Sequence, residues 1–436
     1  MIIRLGRADS YASCYCLSML LRGPFPRKAT VAALFVLSLL FFLERGPYRA
    51  LRYSRTGDFA TIYAASRRWM HGEDPYDRAD LTLELVRSGA PAPLILDQVR
   101  HSSLYPLTAM PFVAPFALLP WTAANAAWCL FSLGCFAASL AALLRQLRIS
   151  QTGKWVAASV CLLFSPTYVG ILNGNPSVFA ISLTILSVDF VLRKRPLIGG
   201  ILFAVTICVK PQIALCAFLA FLLWKCWKPL FMGLATATLV AISAIFQASA
   251  LGQNWEWWGS LKQNLRSEAL PGGLVDPRPF SPFAPQLLNA QTLSYLVTRN
   301  SQLAEGLVLF FAIGMVALYW YARKKDSTPE GRIDLAFLSA ITLMVAYHRY
   351  YDGQLLLGLI PAAVCLWQTG RVKTASGLGV SFALMAFPFQ SVSEKAFGPA
   401  AAQNYLMQLI LFRHEPIAIV AVALILTLRW RRILLP

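Results

Sequence analysis

Charge is what this 436-residue sequence has least of: 14% of its residues are Asp, Glu, Lys or Arg, where a soluble domain carries about 25%. That shortage excludes a water-facing surface for much of the chain. Histidine is scarcer still, at four residues (His71, His101, His348 and His414) too dispersed to propose a metal centre. The nine cysteines contain no Cys-x-x-Cys pair, which argues against both a zinc site and a disulfide framework. Most lie inside apolar runs and read as small buried hydrophobes. Also missing are a DxD triplet of the kind that binds a nucleotide-sugar metal ion, a GxxxxGK(S/T) phosphate loop and an HExxH helix. These absences disfavour a cytosolic nucleotide-driven enzyme.

What is present is apolar: 57% of residues are hydrophobic and the mean hydropathy is +0.56. The excess falls in blocks at approximately 29–43, 121–144, 155–172, 177–192, 197–209, 211–224, 229–250, 303–322, 333–347, 354–367, 374–390 and 415–428. Several are shorter than the roughly 20 residues of a full span, so broken or tilted helices are expected. The fold class is therefore an all-α polytopic membrane protein with about twelve transmembrane helices. Residues 1–28 read as a cytosolic segment, 29–428 as one transmembrane domain, and 429–436 as a basic cytosolic tail. The N-terminal stretch lacks a short apolar core with a cleavage site, so no cleaved signal peptide is expected.

The formal charge of +19 invites a nucleic-acid reading. The basic residues, however, sit between apolar blocks, at Arg145/Arg148/Lys154, Arg193/Lys194/Arg195, Lys225/Lys228, Arg323/Lys324/Lys325, Arg371/Lys373 and Arg429/Arg431/Arg432. With Arg22/Arg27/Lys28 they mark every second connection, which is where cytosolic loops keep their cations. Both termini are then cytosolic, and no nucleic-acid partner is expected. The alternate connections face outward and include two long loops, 44–120 and 251–302.

That orientation gathers polar residues on one membrane surface: Asp58, Asn173, Asn175, Lys210, His348, Arg349 and Asp352. Lys210-Pro211 splits the 197–224 stretch into two short helices, and its cation reads either as snorkelling to the interface or as awaiting an anionic headgroup. The run TGDFATIYAASRRWMHGEDPYD at 56–77 predicts an interfacial helix with Phe59, Ile62, Tyr63, Ser66, Trp69 and Met70 on one face and Arg68 opposite. Gly72 suits its C-terminal cap and Asp74-Pro75-Tyr76 a turn. Asp58 reads either as an N-terminal cap or as a carboxylate at a cavity mouth able to act as general base. The Trp-rich stretch 254–265 also reads as interfacial, and 271–285, with five prolines, as an irregular outer loop.

Several motifs in order complete the pattern: DFATIY from Asp58, HGEDPY from His71, Tyr105-Pro106-Leu107, Asn173-Gly174-Asn175, Ala204 through Cys208-Val209-Lys210-Pro211-Gln212, and HRYYD from His348. Together, over about residues 30–370, they resemble the GT-C glycosyltransferases of family 87. The resemblance implies a GT-C bundle, a polyprenyl-phosphate-linked sugar donor, a glycolipid or glycan acceptor, and no metal or other cofactor. It implies Asp58 as the base, His348 as assisting at the acceptor or the leaving phosphate, and Lys210 and Arg349 as cations steadying the phosphate. Asn173, Asn175, Gln212 and Asp352 are implied on the substrate side. The expected location is the inner (plasma) membrane with the site facing outward. The competing readings are a flippase or exporter of a lipid-linked saccharide, and an O-antigen polymerase or ligase. An exporter would spread its polar residues through the membrane thickness rather than gather them at one face.

Overall fold

The computed structural model describes residues 26–429 except 54–55, 101, 251–254, 280, 325–330, 387–406 and 408–412. The N-terminal segment to residue 25, the tail beyond Arg429, Cys14, Cys16 and the basic residues Arg22, Lys325, Arg431 and Arg432 lie outside the described residues. Among the described residues the chain is all-helical, apart from one isolated bridge between Leu287 and Arg349.

A helix occupies each of the twelve apolar blocks. By length and composition, four described helices can cross a membrane: Lys28–Arg52, Trp121–Gln146, Trp227–Ser249 and Ser301–Arg323. A fifth arises if Gln151–Leu163 and Ser165–Leu172, bent by 49°, count as one. The bend sits at Phe164-Ser165-Pro166, where proline opens the second piece. Proline lacks the N–H that would continue the first helix, and its ring clashes with the carbonyl four residues back. The same chemistry acts at Lys210-Pro211. Lys210 is extended (φ −147°, ψ 83°) between helices Pro196–Val209 and Pro211–Leu223.

The shorter apolar helices form the middle of the molecule. Ser177–Leu192 packs against Trp121–Gln146, Pro196–Val209, Pro211–Leu223 and the short helix Tyr350–Gly358, and most of its side chains are buried. The long helices keep apolar side chains outward, among them Leu37 and Leu40 of the first, Phe231 and Phe246 of Trp227–Ala250, and Phe310 and Phe311 of Ser301–Lys324. An inverted distribution of this kind suits a lipid solvent. The seven described cysteines are free thiols, none of them exposed, in keeping with their reading as apolar filler.

Helix Gly57–Met70 departs from its expected surface position. Ten of its fourteen side chains are buried. Phe59 stacks on Trp128 with ring centroids 5.0 Å apart, Tyr63 donates to the Leu119 carbonyl at 2.8 Å, and Trp69 donates to the Ala244 carbonyl at 3.0 Å. Arg68, expected to face headgroups or water, is 6% exposed. Its guanidinium pairs with Glu73 at 2.9 Å and Asp80 at 2.6 Å and donates to the Asp74 carbonyl. The acidic turn and the helix after it supply the partners that let the cation be buried. The helix end matches expectation: Gly72 is left-handed (φ 70°), the Glu73 N–H reaches the Arg68 carbonyl, and the Tyr76 N–H bonds the Asp74 carboxylate.

Candidate active site

A cavity of about 1070 Å³ opens where helix Gly57–Met70 meets the Asn173-Gly174-Asn175 turn, the Lys210-Pro211 break and the segment after helix Gly331–Val345. Asp58, Asn173, Asn175, Lys210, Gln212 and Arg349 all line it. Stretches as far apart as residues 58 and 349 are thus brought to one space. Leu94, Leu261, Leu265, Leu274, Val275 and Phe283 form its apolar side, and the last three come from the proline-rich 271–285 loop.

Asp58 lies in the first turn of its helix, after the N-terminal cap Thr56, and its side chain makes no cap. The carboxylate instead points across to the turn, where its Oδ2 accepts from Asn175 Nδ2 at 2.8 Å. The turn is held by Gly174 in the left-handed region (φ 63°), its would-be Cβ 2.8 Å from Phe59 Cβ. Only glycine allows that close approach. Removal from water raises the Asp58 pKa above its ordinary value of 3.8. The charges of Arg349 and Lys210 and the Asn175 bond oppose the rise, while Asp97 adds to it. A carboxyl shifted this way is a stronger proton acceptor once ionised.

Lys210 does not snorkel. It is 7% exposed, its Nζ lies 2.9 Å from Asp352 Oδ1, and it also bonds Ser177 Oγ. Its ammonium stands 5.2 Å from the Tyr351 ring centre. Arg349 stands over the rings of Phe283 and Tyr351 and donates to Gln286.

His348 and Asp352 are placed differently from the sequence expectation. Neither lines the cavity. His348 is 0% exposed, and its Nδ1 lies 3.1 Å from Asp352 Oδ2. Asp352, 1% exposed, also accepts from Ser177 and from the Arg349 N–H at 3.1 Å. Burial alone would raise its pKa, but Lys210, His348 and Ser177 outweigh that and hold it well below the usual carboxylate range. In the HRYYD stretch Arg349 and Tyr351 face the cavity, while His348 and Asp352 lie buried behind its wall and support Lys210. A group that reaches no cavity surface is suited to positioning rather than contact.

The lining groups not singled out as site residues from sequence include Asp97, Tyr347 and Tyr351. Asp97, on helix Ala92–Arg100, brings a second carboxylate, its Oδ2 2.6 Å from where a Gly57 Cβ would stand. The signal available was a lone charge in the apolar run Pro93-Leu94-Ile95-Leu96. Tyr347 and Tyr351 flank the His348-Arg349 pair. Ser177, fully buried behind the wall, carried no sequence signal. Among the described residues no group of three or more His, Cys, Asp or Glu side chains could hold a metal ion.

The family model for glycosyltransferase family 87 matches residues 104–347. No curated protein and no solved structure matches the chain. The match includes the Asn173-Gly174-Asn175 turn and Lys210-Pro211-Gln212, two of the segments that build the cavity, and spans more than half of the sequence. The chain belongs to glycosyltransferase family 87 and is a glycosyltransferase.

Proposed function

We propose that the protein transfers a sugar from a polyprenyl-phosphate donor to an acceptor hydroxyl at the outer face of the inner (plasma) membrane. The observation that carries this reading is the meeting, in one cavity, of a carboxylate with a raised pKa and two cations. A polyprenyl phosphate leaves well once its charge is compensated, so a base, a cationic phosphate site and an apolar groove meet the chemical need.

Asp58 takes the proton of the acceptor hydroxyl as that oxygen attacks the anomeric carbon. The bond from that carbon to the phosphate oxygen breaks, and the electron pair leaves with the lipid phosphate beside Arg349 and Lys210. A single displacement inverts the anomeric centre, so a β-linked donor gives an α-linked product. Leu261, Leu265, Leu274 and Val275 offer the prenyl chain an apolar path beside these groups. Tyr105 shares the wall; burial and the nearby Asp58 charge keep its phenol protonated. In this scheme Asp352 and His348 hold Lys210 in place. Twelve crossings, with both termini cytosolic, are the topology that puts the cavity outward.

The test is sugar transfer from synthetic polyprenyl-phosphate sugars in proteoliposomes, wild type against Asp58→Asn. Removal of a general base lowers the rate by about 10²–10⁴-fold, and donor binding should persist. Equal transfer by both proteins would remove Asp58 from the chemistry. A product with retained anomeric configuration would rule out the single displacement.

A further inference from the structure

Asp58 is one end of a hydrogen-bonded chain that runs away from the cavity. The Asn175 carboxamide donates to Asp58 Oδ2 at 2.8 Å. Its other atom, Oδ1, accepts from the Ser177 backbone N–H at 2.8 Å and lies 2.5 Å from Ser177 Oγ. The single proton of Ser177 Oγ goes to the carboxylate, the stronger acceptor, at Asp352 Oδ1, and the same oxygen receives Lys210 Nζ. Asp352 ends the chain on His348. Asn175 is 1% exposed and Ser177 is 0% exposed, so water does not compete for these bonds.

The orientation of the carboxamide follows from elementary chemistry. A backbone N–H only donates, so the Asn175 atom facing it must be the carbonyl oxygen. The NH₂ group is then forced toward Asp58. That leaves Asp58 Oδ2 occupied and makes Oδ1, which accepts no hydrogen bond among the described residues, the proton acceptor. Pro176 and the first turn of helix Ser177–Leu192 make this arrangement rigid.

We infer that Asn175 and Ser177 are a positioning pair for the base: Ser177 locks the Asn175 carboxamide, Asn175 aims Asp58, and the same serine hydroxyl sets the Lys210 cation in register with it. The inference rests on the proposed role of Asp58 and moves Asn175 from substrate contact to base orientation. One serine, through its backbone N–H on Asn175 and its hydroxyl on Lys210, links the proton acceptor to the cation that faces the leaving phosphate, so displacement of either partner disturbs both.

The groups facing Asp58 are the cations Arg349 and Lys210, the Asp97 carboxylate, the Asn175 amide and the phenols of Tyr105, Tyr347 and Tyr351. Asn175→Asp replaces only the amide, keeps its shape and still accepts from Ser177. It sets a second carboxylate against Asp58, and two such neighbours resist ionising together. In the proteoliposome assay this variant should lose about 10- to 100-fold in kcat at neutral pH, the factor carried by a hydrogen bond to a charged group. The acid limb of its pH–rate profile should move to higher pH, with donor KM little changed. Ser177→Ala should move both readouts the same way but less, because the backbone N–H remains, and Ser177→Thr should exceed it in kcat. A thermal melt of each variant separates misfolding from mispositioning.

A folded Asn175→Asp protein with wild-type kcat and pH profile would overturn the inference. So would a rise confined to donor KM, which would return Asn175 to substrate binding. Retained transfer by Asp58→Asn, measured with Asn175 intact, would instead overturn the underlying base assignment and this inference with it.

Discussion

Helix Gly331–Val345 joins two regions that treat a carboxylate in opposite ways. Its fifteen residues span roughly 22 Å at 1.5 Å per residue. Near its start, Asp334 is 0% exposed and receives Tyr319 Oη at 2.7 Å, Trp224 Nε1 at 2.8 Å and the Arg323 guanidinium at 3.1–3.2 Å. Both oxygens are used, and three segments are tied together through them. Beyond its other end lies the cavity, where Asp58 accepts one hydrogen bond among the described residues and faces open space. A saturated carboxylate is a fastener, whereas one with a lone pair left over on a cavity wall can take a proton. Asp352 illustrates the rule within the site, since Lys210, Ser177, His348 and the Arg349 N–H use up both its oxygens.

The contrast breaks most sharply at Asp58. Asp58→Asn should abolish most transfer and yet leave the fold at least as stable. The raised pKa means that the folded protein holds the Asp58 proton more tightly than the unfolded chain. That stabilisation is complete at low pH and is lost as pH rises through the folded pKa. At neutral pH the ionised group therefore opposes folding, so the asparagine variant should melt higher than wild type. The gap should close as the pH falls toward 4, and melting curves across that range check the sign.

Asp334→Asn should do the reverse. Loss of one partner from a buried ion pair costs about 3–5 kcal/mol, so the melting temperature should fall clearly. Turnover per folded molecule should hold, because the cavity is a helix length away. A fall in turnover without a fall in stability would dissolve the distinction between the two ends.

Gly174→Ala should hurt both properties more mildly. Left-handed backbone costs an alanine about 1–2 kcal/mol, and the contact with Phe59 Cβ adds overpacking of about 1–3 kcal/mol. The turn that carries Asn175 would shift with it, so kcat should drop alongside stability.

The smallest effect is expected at Asp97. Its negative charge helps raise the Asp58 pKa, so Asp97→Asn should let Asp58 ionise at lower pH. The acid limb of the pH–rate profile should therefore move down, opposite to the shift expected for Asn175→Asp.

Much of the cavity was legible in the sequence because its parts carry unusual residues for their surroundings. Lys210 between apolar runs, Asn173 and Asn175 at a turn, and Arg349 after an apolar block each stand out against 57% hydrophobic composition. Positive-inside counting then put them on one surface, and the cavity contains them all. Ser177 had no such contrast, since a serine opening an apolar helix is ordinary. His348 and Asp352 did stand out, but their depth was not readable. Whether a side chain in HRYYD faces the cavity or the core depends on how the 350–358 helix packs on Ser177–Leu192. Arg68 failed as a marker of a water-facing surface for a related reason, because its partners Glu73 and Asp80 come from the following turn and helix.

By itself the sequence determined the helical class, the positions of the apolar blocks, the break at Pro211, and the family. Each follows from short-range chemistry: hydrophobic run length, the missing proline N–H, and motifs in order. Only the tertiary structure decided that helix Gly57–Met70 is buried, that Lys210 is already paired with Asp352, and that Asn175 faces Asp58. Those outcomes depend on contacts between residues 56 to 175 positions apart, and local sequence places no constraint on which buried donor will meet which acceptor.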